Sequence, residues 1–496
     1  MAVDKVPRPA GEPERPFPAP VGPVAHTSRA RLAIALTAIV LMSELAPMEL
    51  TLVYPSLRSI ALEFHTPHTA WVLVIVGLTA VVTIPLLGKL ADTYGKRLVL
   101  LALGGLFAAG SVICATATTF PWLLTGRALQ GTCGGITAVA YALIRDVFPR
   151  RVVPIALGAV SAGIGVSALA SPFLAGALID CYGYRSVFWF MFAYAAVLVP
   201  VTLLFIPESP LRLRRRLDVA GVLLLGSGIG LILLALTQGR AWGPAGVVAA
   251  GTLGVATLAA FAVWERRVPV PAVDLRLITG SAMRPTLLAA LCVGFLIGGY
   301  ALLMPQMLQT PAMPGLGYGL GLTATGVALW TFPQGLLTMM AGPLGGAVAR
   351  RFGARVVLIA AGCILTLALA TTSSLPGHRW QILLIASAVG VGLGLHYAAL
   401  PNLVIDATDA RHSGVGTAMV PLAGQLGATT AATVMGAVTM RHTVRTEAGT
   451  GQIVFTATAY QLSFLIAAAV GLAGVLIAVR MHHGRTPATG GALPDH

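Results

Sequence analysis

The sequence predicts an all-α membrane protein of fourteen transmembrane helices, and three observations predict it. Hydrophobic residues make up 56% of the chain and charged residues only 10%, with a mean hydropathy of +0.85. A soluble chain of 496 residues needs far more charge to cover its surface. Apolar runs of about 20 residues, enough to cross a bilayer, recur along the sequence. The basic residues gather in alternate connections between those runs, as the topology of a multi-span protein requires.

Residues 1–28 are rich in proline and charge and lack an apolar core, so they read as a disordered tail rather than a signal peptide or a helix. Apolar runs then fall near 32–54, 69–88, 98–118, 121–144, 153–179, 186–206, 218–238, 243–264, 284–308, 319–346, 356–375, 379–400, 414–440 and 460–480. The tail and the connections after even-numbered runs carry Lys89, Lys96, Arg97, Arg150, Arg151, Arg212, Arg214, Arg215, Arg216, Arg350, Arg351 and Arg355 among others. The opposite connections hold only Arg58, Arg185, Arg240, Arg379, Arg441 and Arg445. Both termini are therefore expected in the cytoplasm. The net charge of +15 is distributed over many short loops, which argues against nucleic acid as its partner. The five cysteines show neither metal-ligand spacing nor a disulfide framework, and small apolar residues in helix contacts is the simplest reading of them.

The chain repeats itself. "GKLADTYGKRLVL" after the second run aligns without a gap with "GAVARRFGARVVL" after the tenth, matching Gly88 with Gly346, Gly95 with Gly353 and Arg97 with Arg355. Repeated halves are typical of secondary transporters. "TIPLLGKLAD" is not a phosphate loop, because Thr83 stands where the first glycine belongs and Leu90 where Ser or Thr should follow Lys89. With no nucleotide domain and no cofactor motif, transport is expected to run on an ion gradient or passively. A membrane enzyme or a signalling receptor would need a catalytic constellation or a sizeable domain outside the bilayer, and neither is visible.

The loop holding Gly88, Asp92, Gly95, Lys96 and Arg97 resembles the signature Gly-x-Leu-x-Asp-x-x-Gly-Arg/Lys-Arg between the second and third spans of the major facilitator superfamily. In "LLTGRALQGTCGG", Leu123, Arg127, Gln130, Gly131 and Gly134 are similar to that family's fourth-span pattern. "GAVSAGIGVSALASPFLAG" resembles its antiporter pattern, keeping Gly158, Pro172 and Gly176 but carrying Ser167, Ser171 and Ala175 in place of glycines. A generic packing face of small residues is the alternative there. "LDVAGVLLLGSGIGLILLALTQG" and "WERRVPVPAVDLRLI" are similar to the linker helices of the fourteen-span drug:proton antiporters. The resemblance covers nearly the whole chain beyond residue 30. It implies the major facilitator fold: a tail (1–30), a six-helix bundle (31–207), a linker with two extra helices (208–283), a second bundle (284–480) and a cytoplasmic tail (481–496). It also implies that Asp92 is a gate residue. The second copy has Arg350 at that position, so the latch is one-sided.

Two carboxylates lie in the first run, in "LMSELAPMELTLVYPSL". A carboxylate at bilayer depth costs a few kcal/mol, and such residues often belong to proton relays. The resemblance places Glu49 at the acidic position of the fourteen-span family's first-span signature, whereas Glu44 has no counterpart. Glu49 and Arg127 lie about 8 Å from the same side of the bilayer at 1.5 Å per residue, so they can face each other. Glu44 is deeper, where substrates bind. The expectation is that Glu49 carries the proton, with Arg127 beside it, and that Glu44 selects cationic substrates. A structural ion pair or a hydrogen bond to a neighbouring helix is the alternative for each. Gln130, Tyr300, Gln306, Gln334 and His396 are polar candidates for the substrate cavity, with no signal to rank them.

The expected function is proton-coupled efflux of hydrophobic or amphiphilic compounds such as antibiotics. The alternatives are export of an endogenous lipid or metabolite, and proton-coupled uptake. Partners are the small-molecule substrate, protons and the bilayer, with no nucleotide and no nucleic acid, and a monomer is expected. Lysine occurs only at positions 5, 89 and 96 while arginine, alanine and glycine abound, which suggests a GC-rich bacterial genome and hence the inner membrane.

Overall fold

The computed structural model describes residues 29–149, 152–209, 218–237, 239–268, 271, 275, 280–313, 317–407, 413–445 and 453–485. The expected tail 1–28, the linker arginines 212–216 and residues 486–496 lie outside them.

The first run is a broken rod: α1 (Arg29–Ser43), α2 (Leu45–Val53), a 3₁₀ turn (Tyr54–Ser56) and α3 (Leu57–Glu63). Proline explains both breaks. Pro47 has no N–H for the Ser43 carbonyl and crowds it, so the ladder fails at Glu44, and Pro55 opens the 3₁₀ turn. α4 (Trp71–Tyr94) bends by 50° at Pro85. α5 (Lys96–Thr116) follows. The fourth run is also broken, into α6 (Phe120–Gly131) and α7 (Ile136–Val147), by a 3₁₀ turn over Thr132–Gly135. α8 (Val153–Tyr182) and α9 (Arg185–Phe205) complete the first group, and α10 (Val219–Thr237) and α11 (Gly239–Glu265) form a hairpin. The last six helices are α12 (Met283–Gln309), α13 (Ala324–Phe352), α14 (Ala354–Thr372), α15 (Arg379–Ala407), α16 (Ser413–Arg441) and α17 (Ala457–Arg480).

Among the described residues, ten helices are long and apolar enough to cross a membrane, or eleven if the bent α4 counts as one span. The tenth run starts later than expected, at Ala324 rather than 319, because Gly317, Gly319 and Gly321 all take positive φ and hold a loop there. The chain is not purely helical. Thr443–Arg445 (β1) and Ile453–Phe455 (β2) pair antiparallel in the connection before α17, with Val444 opposite Val454. The five cysteines are free; Cys114, Cys133 and Cys292 are buried in helix contacts, while Cys181 and Cys363 are exposed.

α1–α9 pack mainly among themselves, as do α12–α17, and the two groups meet where α8 lies on α13 and α4 on α16. The α10–α11 hairpin rests against α4 and α16. Both copies of the repeated loop do the same work. Gly95 (φ 115°) and Gly353 (φ 88°) end their helices in a conformation that favours glycine. Arg97 then donates to the Leu203 carbonyl at the end of α9 (2.7 Å), and Arg355 donates to the Ala478 (3.0 Å) and Val479 carbonyls at the end of α17. Cations there satisfy carbonyls that lack an intrahelical partner and complement the helix dipole. His483 meets Thr286 at 2.9 Å and Lys89 donates to the Pro271 carbonyl, so these loops share one end of the molecule with the chain's last helix. We call that end proximal and the other, with Arg58, Asp180, Thr310 and Ala324, distal.

Candidate functional site

Glu49 on α2 and Arg127 on α6 form a buried ion pair, with 3% and 0% of their surfaces exposed. The guanidinium uses its whole fork. Besides Glu49, it donates through Nε to the Val72 carbonyl (3.1 Å) and through Nη1 to Gln130 Oε1 (2.7 Å). Gln130 Nε2 donates to Ser111 Oγ (2.9 Å), whose hydroxyl donates to the Phe107 carbonyl (2.7 Å). One network therefore ties α2, α4, α5 and α6 together near the first residues of α4. Gln130, a cavity candidate by sequence, is fully buried in this network, because Arg127 needs an acceptor three residues along its own helix. Ser111 and the Val72 carbonyl carry no sequence signal.

Glu44 sits differently. It caps the break between α1 and α2 and is 3% exposed. Oε2 accepts a hydrogen bond from Ser167 on α8 (2.6 Å), while Oε1 meets no donor, and no ion pair reaches the carboxylate among the described residues. Ser167 is one of the positions where the antiporter pattern has glycine, so the departure from the pattern supplies the partner. One turn earlier, Gly163 lies against Glu44 Oε1, where a Cβ would collide with the carboxylate. Tyr194 donates to the Leu41 carbonyl beside it (2.9 Å). Gly158, Ser171 and Pro172 lie along α8, Ser171 buried, and Gly176 packs tightly on Thr325 of α13.

The other polar candidates belong to the second bundle. Tyr300 and Gln334 share a cavity of about 30 Å³, room for one water, and the Tyr300 hydroxyl has no partner among the described residues. Gln306 donates to the Leu302 carbonyl of its own helix (3.0 Å). His396 is buried with Nδ1 unpartnered, its ring 5.7 Å from that of Tyr397. Of the residues grouped by sequence as one substrate cavity, Tyr300 and Gln334 line one small cavity, while Glu44 and Gln130 make their hydrogen bonds within the first bundle.

At the proximal loop Lys96 is buried and bridges Asp146 (2.7 Å) and Asp92 (3.4 Å), and Ser209 donates to Asp146. Glu208, which sequence reasoning missed, accepts from the backbone N–H groups of Arg97 (3.0 Å) and Leu98 (3.2 Å) and so caps α5. No cluster of metal-ligating side chains occurs among the described residues.

Residues 39–310, more than half of the chain, match the family model described as Major Facilitator Superfamily. The chain belongs to the Major Facilitator Superfamily. It is a multi-pass membrane transporter, not an enzyme. Among its relatives, the "Probable actinorhodin transporter" of Streptomyces coelicolor is 28% identical over 74% of this chain and 65% of its own length. The "Multidrug resistance protein Stp" of Mycobacterium tuberculosis is also 28% identical, over 74% of this chain and 68% of its own. The chain thus spans about two thirds of the length of these relatives. Among solved structures, a bacterial homologue of the human lysosomal transporter Spinster superposes with a TM-score of 0.68 at 14% identity, covering 95% of this chain and all of the other. In this superfamily fold, the Glu49–Arg127 network links helices of one bundle, and Glu44 is a buried carboxylate of that bundle with no cation beside it among the described residues.

Proposed function

We propose that this transporter exports hydrophobic or amphiphilic compounds in exchange for protons. We further propose that it crosses a bacterial inner membrane fourteen times, with the proximal end and both termini in the cytoplasm. The basic proximal loops support the orientation. The names of the two relatives, an actinorhodin transporter and a multidrug resistance protein, support export of such compounds.

The observation that carries the proton is the unequal setting of the two carboxylates. Arg127 already neutralises Glu49, so this pair can stay buried without a proton. Glu44 has one hydroxyl for company and an unpartnered oxygen. A buried charge so poorly paired is expensive, and a proton removes it. The roles expected from sequence are therefore exchanged: Glu44 binds the proton, and Glu49–Arg127 fixes the helix break that positions it. The site around Glu44 is closed by Gly163 and Ser167, which suits a proton rather than a bulky cation.

In proteoliposomes, Glu44→Gln should abolish substrate-driven proton movement while substrate binding persists, because the amide keeps the shape and cannot titrate. Normal proton movement in Glu44→Gln would refute the assignment. Efflux that fails on ATP depletion under a clamped proton gradient would refute proton coupling itself.

A further inference from the structure

Among the described residues, hydrogen bonds join the two bundles at the distal end. Arg58 Nη1 donates to Thr310 Oγ1 (3.3 Å), and Gln309 Nε2 donates to the Pro55 carbonyl (3.1 Å). The strongest contact in chemical terms comes from Asp180, in the last turn of α8. Its Oδ1 accepts from the backbone N–H of Ala324 (3.1 Å) and its Oδ2 from that of Thr325 (2.9 Å), at the start of α13 in the opposite bundle. Thr323 caps the same helix through Oγ1, which accepts from Gly326 N (3.0 Å). The first three N–H groups of α13 are thereby satisfied, two of them by a carboxylate from the other body. Gly176, one turn before Asp180, has no room for a side chain against the Thr325 backbone, so the two helices are drawn together at this spot.

Glu208 makes the same kind of cap on α5, but within the first bundle, where nothing needs to part. Asp180 spans two bodies that must separate at this end whenever the binding site opens toward it. Separation breaks two charge-assisted hydrogen bonds at once and leaves a carboxylate and a helix N-terminus to be rehydrated. We propose that Asp180 is the distal gate residue of the transport cycle: its grip on the first turn of α13 holds the distal mouth shut, and its release accompanies each opening. The structure also supplies the residue's complement on the other side, the Ala324 N–H. That the distal mouth faces outward rests on the orientation proposed above.

The test uses the full chain in membranes. Cys181, exposed and adjacent to Asp180, reports sidedness: a membrane-impermeant maleimide should label it in intact cells. Labelling only in inverted vesicles would overturn the outward orientation, and the gate is then read from that side. For the gate itself, Ala70→Cys in a Cys181→Ser, Cys363→Ser background places a thiol just before α4, at the distal contact with Gly436 of α16, where the site is buried. Asp180→Asn should raise the labelling rate at that thiol by about tenfold, and Asp180→Glu should restore most of the closure. Ala324→Pro removes one of the two donors without touching Asp180. It suits the first position of a helix, and the preceding Thr323 is extended (φ −68°, ψ 168°), as a residue before proline prefers. It should also raise labelling, and adding it to Asp180→Asn should give less than the product of the two effects, since both act on one contact. Unchanged labelling in both single variants, with protein present in the membrane, would overturn the proposal.

Discussion

Replacing Glu49 by glutamine removes one charge from a pair in which the partner has no access to solvent. Arg127 keeps its bonds to the Val72 carbonyl and Gln130 but is left as an uncompensated cation at 0% exposure. Breaking a buried pair from one side costs about 3–5 kcal/mol. The glutamine oxygen can still accept one hydrogen bond, so the lower end of that range, about 3 kcal/mol, is expected. The double variant Glu49→Gln, Arg127→Gln leaves no charge to bury and should recover about 2 kcal/mol of the loss. The assay is the thermal melt of detergent-solubilised protein: Glu49→Gln should melt well below the parent and the double variant between them. Glu44→Gln should melt at or above the parent, since it removes a poorly paired charge. Equal melting points for Glu49→Gln and the parent, or strictly additive losses in the double variant, would refute the view that the pair's mutual neutralisation is what the bundle needs.

Other consequences follow from the same contacts. Asp92 is partly exposed and is the longer of the two Lys96 contacts, so Asp92→Asn should cost about 1 kcal/mol or less in a melt while slowing turnover; Arg350→Gln should leave both nearly unchanged. Arg97→Gln and Arg355→Gln each free carbonyls at a helix end and should show similar losses of about 1–2 kcal/mol, a direct measure of the symmetry of the repeat. Ser167→Gly, which restores the glycine of the antiporter pattern, leaves both Glu44 oxygens without a donor; it should slow proton-coupled efflux in vesicles, and Ser167→Thr should retain it.

The repeated loop was legible in the sequence down to individual residues, because the turn that ends each helix needs a positive-φ glycine and the glycine and arginine recur at fixed spacing in consecutive positions; that each arginine caps a different helix, α9 or α17, was not, since those carbonyls lie more than a hundred residues away. Transmembrane runs are legible for the same reason: hydropathy is a property of a contiguous stretch, and the bilayer responds to that stretch as a whole. Depth, fixed by the rise per residue, could show that Glu49 and Arg127 are able to face each other, and the structure pairs them. What tertiary structure decided is which way each polar group turns once at its depth. These helices are apolar nearly all round, so the periodic contrast that marks the inward face of a soluble helix is missing. Pro47 and Pro85 then alter the rotation of everything beyond them. Hence Glu44 meets Ser167, Gln130 turns to Arg127 and Ser111, and Tyr300 and Gln334 share a small cavity. Depth is set by counting along one chain segment, whereas neighbours across helices depend on rotation, bend and the packing of other segments, which for Glu44 and Ser167 lie more than a hundred residues apart.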